Sequence, residues 1–433
     1  MQTIVNIKLW GQNVAAIAWD KIREIGVLEF YDSFPKNNWN IAPLTMPLED
    51  IRRGERIFSF SNLKSKTFKG LPGLIADALP DDYGNSVIDE WFFMKGKTVE
   101  ITPIDRLCYI GNRGMGALEF EPANDDVLLN ESSHIDIQEL VALSQQILDK
   151  RSSFRTVLDN NRDPLIDILR VGTSAGGAKP KAIIAYHEKT KEVRSGQVKA
   201  PDGFGYWIIK FDGVEGGAIK DNPLGIGRIE YTYYQMALDC GIDMMPSRLL
   251  EDGEKAHFMT RRFDRTDNGE KIMMQTLCGI AHYDRDERYG YEQLYSVMRK
   301  LKLDYPDFEQ QYSRMVFNVI ARNHDDHTKN HSFIMNKDGT WKLAPAYDLC
   351  YSYSPSGQWT NKHQMSVYGK RDDFSIQDLV KVGEDQGIRN PKYVIDKIIS
   401  IVSNWSTYAS KNDVSPTFIR QIGDQLRINI SSV

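Results

Sequence analysis

The stretch "RNHDDHTKNHSFIM", residues 322–335, decides how the chain is read. It packs three His, two adjacent Asp and two Asn into fourteen residues and then turns apolar. The segment before it, "DFEQQYSRMVFNVIARN", carries Phe308, Tyr312, Met315, Val316, Val319 and Ile320 at helical spacing, so a helix runs straight into the cluster. The segment after it, "HSFIMNKDGTWKLAPAYDL", reads as a strand, an Asn-Lys-Asp-Gly turn and a second strand ending at Asp348.

Asp325 and Asn330 lie five residues apart. Protein-kinase catalytic loops use this spacing. The chemistry needs a carboxylate that takes or orients the proton of the attacking hydroxyl. It also needs an amide oxygen one turn away for a magnesium ion, a hard cation that takes oxygen ligands. A second acidic ligand is required downstream, and Asp348 follows Asn330 by 18 residues (348 − 330).

A lysine that grips phosphate is needed too. Lys210 stands in the apolar strand "YWIIKFD", where it is costly to desolvate without an anionic partner. Glu230 on the following helix is the candidate helper. The plainer readings are an edge-strand lysine facing water and a surface glutamate. The loop "GTSAGGAKPK" offers backbone N–H groups to phosphate. It is not a Walker A loop: Gly172 and Gly177 have the separation, but Ala178 stands where the Lys belongs and no Ser or Thr follows. A competing reading is a metal-dependent phosphohydrolase built on His324-Asp325 with His327 and His331. It needs further ligands, and the nearest upstream histidines, His257 and His282, sit in poor contexts for that role.

The chain's 433 residues exceed what one hydrophobic core holds, so two or three domains are expected. A net charge of −5 argues against a large direct nucleic-acid footprint. No apolar run approaches the roughly 20 residues of a membrane helix. The N-terminal "MQTIVNIKLW" has no signal-peptide pattern, so a cytoplasmic protein is expected. The four Cys are scattered with no CxxC pair, which reads as reduced thiols. Residues 1 to about 60 alternate like strands and hairpins. A helix is expected after Asp136, capped by Asp136 with Glu139, and carrying Ile137, Leu140, Val141, Leu143, Ile147 and Leu148. Residues 165–265 read as a small sheet with one helix, including a hairpin turning at Asp252-Gly253. The Tyr-rich "YTYYQ" at 231–235 lies on that helix and reads as core or interface rather than base-stacking surface. The expected divisions are 1–130, 131–265 and 266–433, the last mostly helical.

Taken together, "SAGGAKPK", "WIIKF", "RRFDR", "DDHTKN" and "LAPAYDL" occur in the order and approximate spacing of HipA-type Ser/Thr kinases. Those are the toxin halves of bacterial toxin–antitoxin pairs. "LPGLIADALPDDYGNSVIDEW" and "GNRGMGALEFEP" resemble that family's N-terminal subdomain, so the resemblance spans nearly the whole chain. It implies a bilobal, protein-kinase-like α+β fold with an N-terminal β-rich subdomain.

The resemblance further implies ATP and Mg2+ as cofactors, with Asp325 as catalytic base and Asn330 and Asp348 on magnesium. His327 and Lys329 would complete the catalytic loop. Gly176, Gly177, Ala178, Lys179 and Lys181 would form the phosphate loop. Lys210 would contact the α/β phosphates, supported by Glu230, and Arg261, Arg262 and Phe263 would form the hinge beside adenine, with Tyr347 among the nucleotide contacts. Ser174 falls where the family autophosphorylates, with Thr173 adjacent. A phosphoserine there would be repelled by bound ATP phosphates. The implied partners are a HipB-like helix-turn-helix antitoxin, DNA only through that antitoxin, and a translation-related protein substrate such as an aminoacyl-tRNA synthetase, with growth arrest as the outcome. Two features depart from the family. Arg261 stands where some members place an acidic residue. Asp326 is an extra carboxylate beside the base, expected either to raise the pKa of Asp325 or to face solvent. Two alternatives stay open: a small-molecule kinase of the aminoglycoside or choline type, and a silent antitoxin-binding subunit.

Overall fold

A computed structural model describes residues 4–80, 84–85, 88–89, 92, 101–123, 132, 134–149, 180–214 and 223–431. The chain divides into two compact units. The first comprises Met1–Gly227, Arg248–Met274 and Lys337–Gly339, and the second Arg228–Ser247, Gln275–Asn336 and Thr340–Val433.

The first unit is built on two five-stranded sheets. Strands β1 (Ile4–Leu9), β2 (Gln12–Asp20), β3 (Ile25–Phe30), β4 (Ile57–Phe58) and β5 (Leu118–Glu121) lie in the order β4-β3-β2-β1-β5. The expected N-terminal hairpins are therefore present. Val5, Ile7 and Leu9 point inward at period two and are fully buried, while Lys8 reaches across to Glu121 at 2.6 Å.

The second sheet holds β6 (Lys181–His187), β7 (Val193–Ser195), β8 (Phe204–Lys210), β9 (Ser247–Asp252) and β10 (Lys255–Arg261) in the order β7-β6-β8-β10-β9. The β9–β10 hairpin turns through Gly253 at φ +60°, which glycine adopts without a Cβ penalty. One face of this sheet presents Ala182, Ile184, Tyr186, Trp207, Ile209 and Met259. They form a core with Leu140 and Val141 of the helix Ile137–Asp149 and with Tyr109 of the helix Pro103–Ile110. Asp136 caps the first of these helices as expected, its Oδ1 accepting from the N–H groups of Gln138 (2.8 Å) and Glu139 (3.0 Å). Leaving β7, the chain crosses so close to β6 that a Cβ on Gly196 would lie 2.4 Å from the Ile184 carbonyl.

A buried ion cluster fastens the 111–117 loop to the segment after β10. Asp264 is fully buried and takes a two-pronged contact from Arg262 (2.8 and 2.7 Å) and one from Arg265 at 2.9 Å. The Gly116 N–H also donates to it at 2.7 Å. Arg265 then donates to the carbonyls of Gly114 and Gly116, both at 3.0 Å. Burial alone would push the Asp264 carboxyl up. The two guanidiniums and the hydrogen bonds from Arg262 and Gly116 outweigh it and hold the carboxyl far below the usual range.

The second unit is mostly helical. Its central helix, Tyr305–Ile320, buries Tyr312, Met315, Val316, Phe317, Val319 and Ile320 completely. The helix Pro391–Val402 packs along it, and Ile376–Asp385 packs on Pro391–Val402 in turn. Tyr233 sits in this core, donating its hydroxyl to the Ala321 carbonyl at 2.7 Å with its ring edge-on to Trp405. Tyr231 and Tyr234 stack on each other with centroids 5.7 Å apart. No described helix is long and apolar enough to cross a membrane. All four cysteines are free thiols, and Cys240 and Cys278 are buried.

Candidate active site

The helix Tyr305–Ile320 stops at Ala321, and Arg322 leaves it in the left-handed region at φ +58°. The Asn323 N–H closes the end by donating to the Asn318 carbonyl at 2.9 Å. Residues 323–327 then run without regular structure into a short 3-10 turn, Thr328–Asn330, entered through an extended His327, and on to the strand Ser332–Met335. The Asp325 side chain is 50% exposed and that of Asp326 is fully buried.

Three contacts fix the loop around Asp325. Its N–H donates to Ser352 Oγ at 2.9 Å, and its carbonyl accepts from Asn330 Nδ2 at 2.7 Å. His327 Nε2 lies 3.8 Å from its carboxylate. Because the Asn330 NH2 is committed to that carbonyl, the amide oxygen is the atom left to face a cation. Asp348 lies just past the strand Trp341–Leu343 and adopts φ +54°. Asn323 Nδ2 donates to both Asn318 Oδ1 (2.9 Å) and the Asp348 carbonyl (3.2 Å), and Asn323 Oδ1 accepts from Ser352 Oγ at 3.0 Å. One asparagine thereby ties the backbones around Asp325 and Asp348 together. Tyr347 donates its hydroxyl to the Lys329 carbonyl at 2.6 Å, so this part of the side chain braces the loop. Glu230 belongs to this same unit and is buried on the helix Ile226–Asp239.

The first unit carries the other described residues that the sequence singled out. Lys181 opens β6 and Lys210 closes β8, and the two are directly paired across the antiparallel ladder. Opposed residues share a face, so two ammonium groups are concentrated at this end of the sheet. Arg261 ends β10, lies over the Trp207 ring at 5.8 Å and pairs with Asp267 at 3.0 Å. Arg262 spends its side chain on Asp264 and donates its backbone N–H to the Tyr206 carbonyl at 2.9 Å. Ser174, Gly176, Gly177, Ala178 and Lys179 lie outside the described residues.

One expectation is corrected. Asp326 does not face solvent: its carboxylate is buried and takes hydrogen bonds from Tyr291, His363 and two backbone N–H groups. Burial would raise its pKa, but the His363 side chain and these bonds hold it below the usual value. The signal for this was weak, since a second Asp beside a catalytic one looks the same whichever way it points. Asn323, Ser352, Tyr291 and His363 carried no signal at all, because their roles come from contacts between distant segments.

The histidines are not arranged as the phosphohydrolase reading needs. Among the described residues no group of three or more His, Cys, Asp or Glu is placed to hold a metal. The His324 ring turns away from Asp325 into the interior, 4.1 Å from His363 and 4.8 Å from Tyr353. Burial first, then His363, pushes His324 down to about 2, and burial pushes His331 down to about 4. A histidine with a lowered folded pKa binds more protons when unfolded. Its stabilising contribution is whole above about pH 6.5 and is lost as pH falls toward the folded value. We expect both to lower stability as pH falls below about 6.5. The midpoint of thermal unfolding should therefore drop between pH 7 and pH 5, and a flat profile would refute the assignment.

Residues 173–406 match the HipA-like C-terminal domain, and residues 5–121 match the HipA N-terminal domain. The first match alone covers more than half of the chain. The chain belongs to the HipA family. Over 97% of this HipA-like chain and 95% of the other, the fold matches a chain of a Shewanella oneidensis MR-1 structure described as the toxin–antitoxin system HipA, HipB and its operator DNA complex. The TM-score is 0.66 at 16% identity, so the likeness is one of fold: α+β and HipA-like. A putative kinase from Haemophilus influenzae (strain ATCC 51907 / DSM 11121 / KW20 / Rd) is 24% identical over 204 residues, 39% of this chain and 58% of that protein. The HipA-like chain thus spans less than two thirds of that relative's length.

Proposed function

We propose that the chain is an ATP- and magnesium-dependent kinase that phosphorylates Ser/Thr hydroxyls of a protein. The observation that carries this is the loop of Asp325, a half-exposed carboxylate whose backbone is pinned on both sides. Asp325 accepts the proton as the acceptor hydroxyl attacks the γ-phosphorus and the bond to the β–γ bridging oxygen breaks. His327 and Lys329 flank it as cationic or hydrogen-bonding groups for the transferring phosphoryl. Lys210 and Lys181 hold the phosphates, with Gly176 through Lys179 supplying the loop. Arg261, Arg262 and Phe263 contact adenine through their backbone, Tyr347 joins the nucleotide contacts, and Glu230 supports Lys210.

The donor set fits magnesium. The Asn330 amide oxygen and the Asp348 carboxylate are hard donors, and an ion that keeps phosphate and water ligands takes only one or two carboxylates from protein. When bound, the ion would neutralise charge on the phosphates during transfer. Further proposals rest on the family: self-phosphorylation of Ser174, a HipB-like helix-turn-helix antitoxin, DNA reached only through it, and a translation-related substrate whose modification arrests growth. The Shewanella structure, described as HipA with HipB and operator DNA, supports the partner.

The test is intact mass after incubation with ATP and magnesium, followed by peptide mapping. A gain of one phosphate at Ser174 or Thr173 is the expected result. No gain from unmodified protein that binds ATP would favour a small-molecule kinase. No gain and no ATP binding would favour a silent antitoxin-binding subunit.

A further inference from the structure

Asp326 and Asp325 are neighbours with opposite fates. The Asp326 carboxylate saturates itself inside the second unit. Its Oδ2 accepts from the Tyr291 hydroxyl (2.8 Å) and from His363 Nδ1 (3.0 Å). Its Oδ1 accepts from the N–H groups of Gln364 (2.7 Å) and Met365 (3.3 Å). A buried anion with several well-placed donors is rigidly oriented, because any rotation leaves a charged oxygen unpaired in a medium that cannot solvate it.

The contacts continue beyond Asp326. Asn318 Nδ2 donates to the Tyr291 oxygen at 3.1 Å, and Asn318 Oδ1 accepts from Asn323. Asn323 in turn reaches the Asp348 carbonyl and Ser352, and Ser352 takes the N–H of Asp325. The chain of bonds therefore leaves the loop at Asp326 and returns to it at Asp325. On its way it passes through the start of the helix Tyr291–Lys300, the end of the helix Tyr305–Ile320 and the segment after Asp348.

We infer that Asp326, acting through Tyr291, Asn318 and Asn323, is a positioning residue that sets where the Asp325 and Asp348 carboxylates stand. This rests on the kinase reading above and names a set of residues outside the nucleotide and metal contacts. None of them touches substrate, so their effect is expected on turnover and not on nucleotide affinity. A displacement of about 1 Å at a reacting group costs roughly a hundredfold in rate.

Because Asp326→Ala unpairs several donors and endangers the fold, Tyr291→Phe is the deciding variant: it removes one oxygen and keeps the ring. Three quantities are compared with wild type: kcat, KM for ATP, and hydrogen–deuterium exchange of peptides covering 318–330 and 345–353. We expect Tyr291→Phe to lower kcat by tenfold or more with KM for ATP within about twofold, and to speed exchange in both peptides. Asp326→Asn, which keeps the shape and two of the acceptor contacts, should fall between Tyr291→Phe and Asp326→Ala. A Tyr291→Phe enzyme with kcat within twofold of wild type would overturn the inference, as would faster exchange confined to residues around position 291. A wild type with no transfer activity would defeat the kinase reading and, with it, the catalytic half of this inference. In that case coupled exchange in the two peptides would still support the scaffold.

Discussion

Asp325→Ala is expected to abolish phosphate gain while leaving the fold and ATP binding intact. Loss of a general base costs about 10²- to 10⁴-fold. The clean separation follows from how the residue is held. The bonds that Asp325 makes to Ser352 and Asn330 run through its backbone N–H and carbonyl, which alanine retains. Its side chain is half exposed and, among the described residues, pairs with His327 alone, so its removal leaves no buried charge unpaired. ATP affinity should hold, because the lysines proposed to hold the phosphates, Lys181 and Lys210, belong to the other unit. The measurements are intact mass with ATP and magnesium, nucleotide titration and the circular dichroism spectrum. A variant that still gains phosphate would place the base elsewhere.

Asp264→Ala should destabilise the first unit by about 3–5 kcal/mol, the cost of stripping one partner from a buried ion cluster. The reason is not the loss of an attraction alone. Arg262 and Arg265 would remain inside without their shared carboxylate, and the Gly116 N–H would lose its acceptor. Denaturant unfolding reads the loss as a fall in midpoint with little change in slope. A loss under 1 kcal/mol would mean that water or another acceptor replaces the carboxylate, and that the cluster does not hold the 111–117 loop. Arg262 is the residue whose reading shifts most here. The motif "RRFDR" pointed to a nucleotide hinge, yet its second arginine spends its side chain on the aspartate two residues on.

Much of the candidate site could be proposed from the sequence because it is local. The spacing of Asp325, Asn330 and Asp348 lies within one helix-loop-hairpin segment, and the apolar period of residues 308–320 announces the helix that delivers it. Strands with period-two burial, such as β1, and the Asp252-Gly253 hairpin were equally readable, since each depends on a few neighbouring residues. Lys210 stood out because a lysine in the apolar run "YWIIK" conflicts with its surroundings unless something anionic meets it. What stayed hidden was every contact made between segments far apart in sequence. Tyr291 and His363 reach the same carboxylate oxygen from positions 72 residues apart (363 − 291). No period or motif connects them, because the chain between them folds back through other packing.

The sequence by itself determined the order of the elements, the α+β class and which loop is the candidate for chemistry, because propensity, hydrophobic period and motif spacing act over short range. Tertiary structure alone decided which of two adjacent aspartates faces water and which is locked inside. Burial alternates from Asp325 through Asp326 to His327, but its phase is set by what packs beneath. Here Tyr291, His363 and the backbone of Gln364 supply donors to Asp326, so Asp326 turns inward while Asp325 stays half exposed.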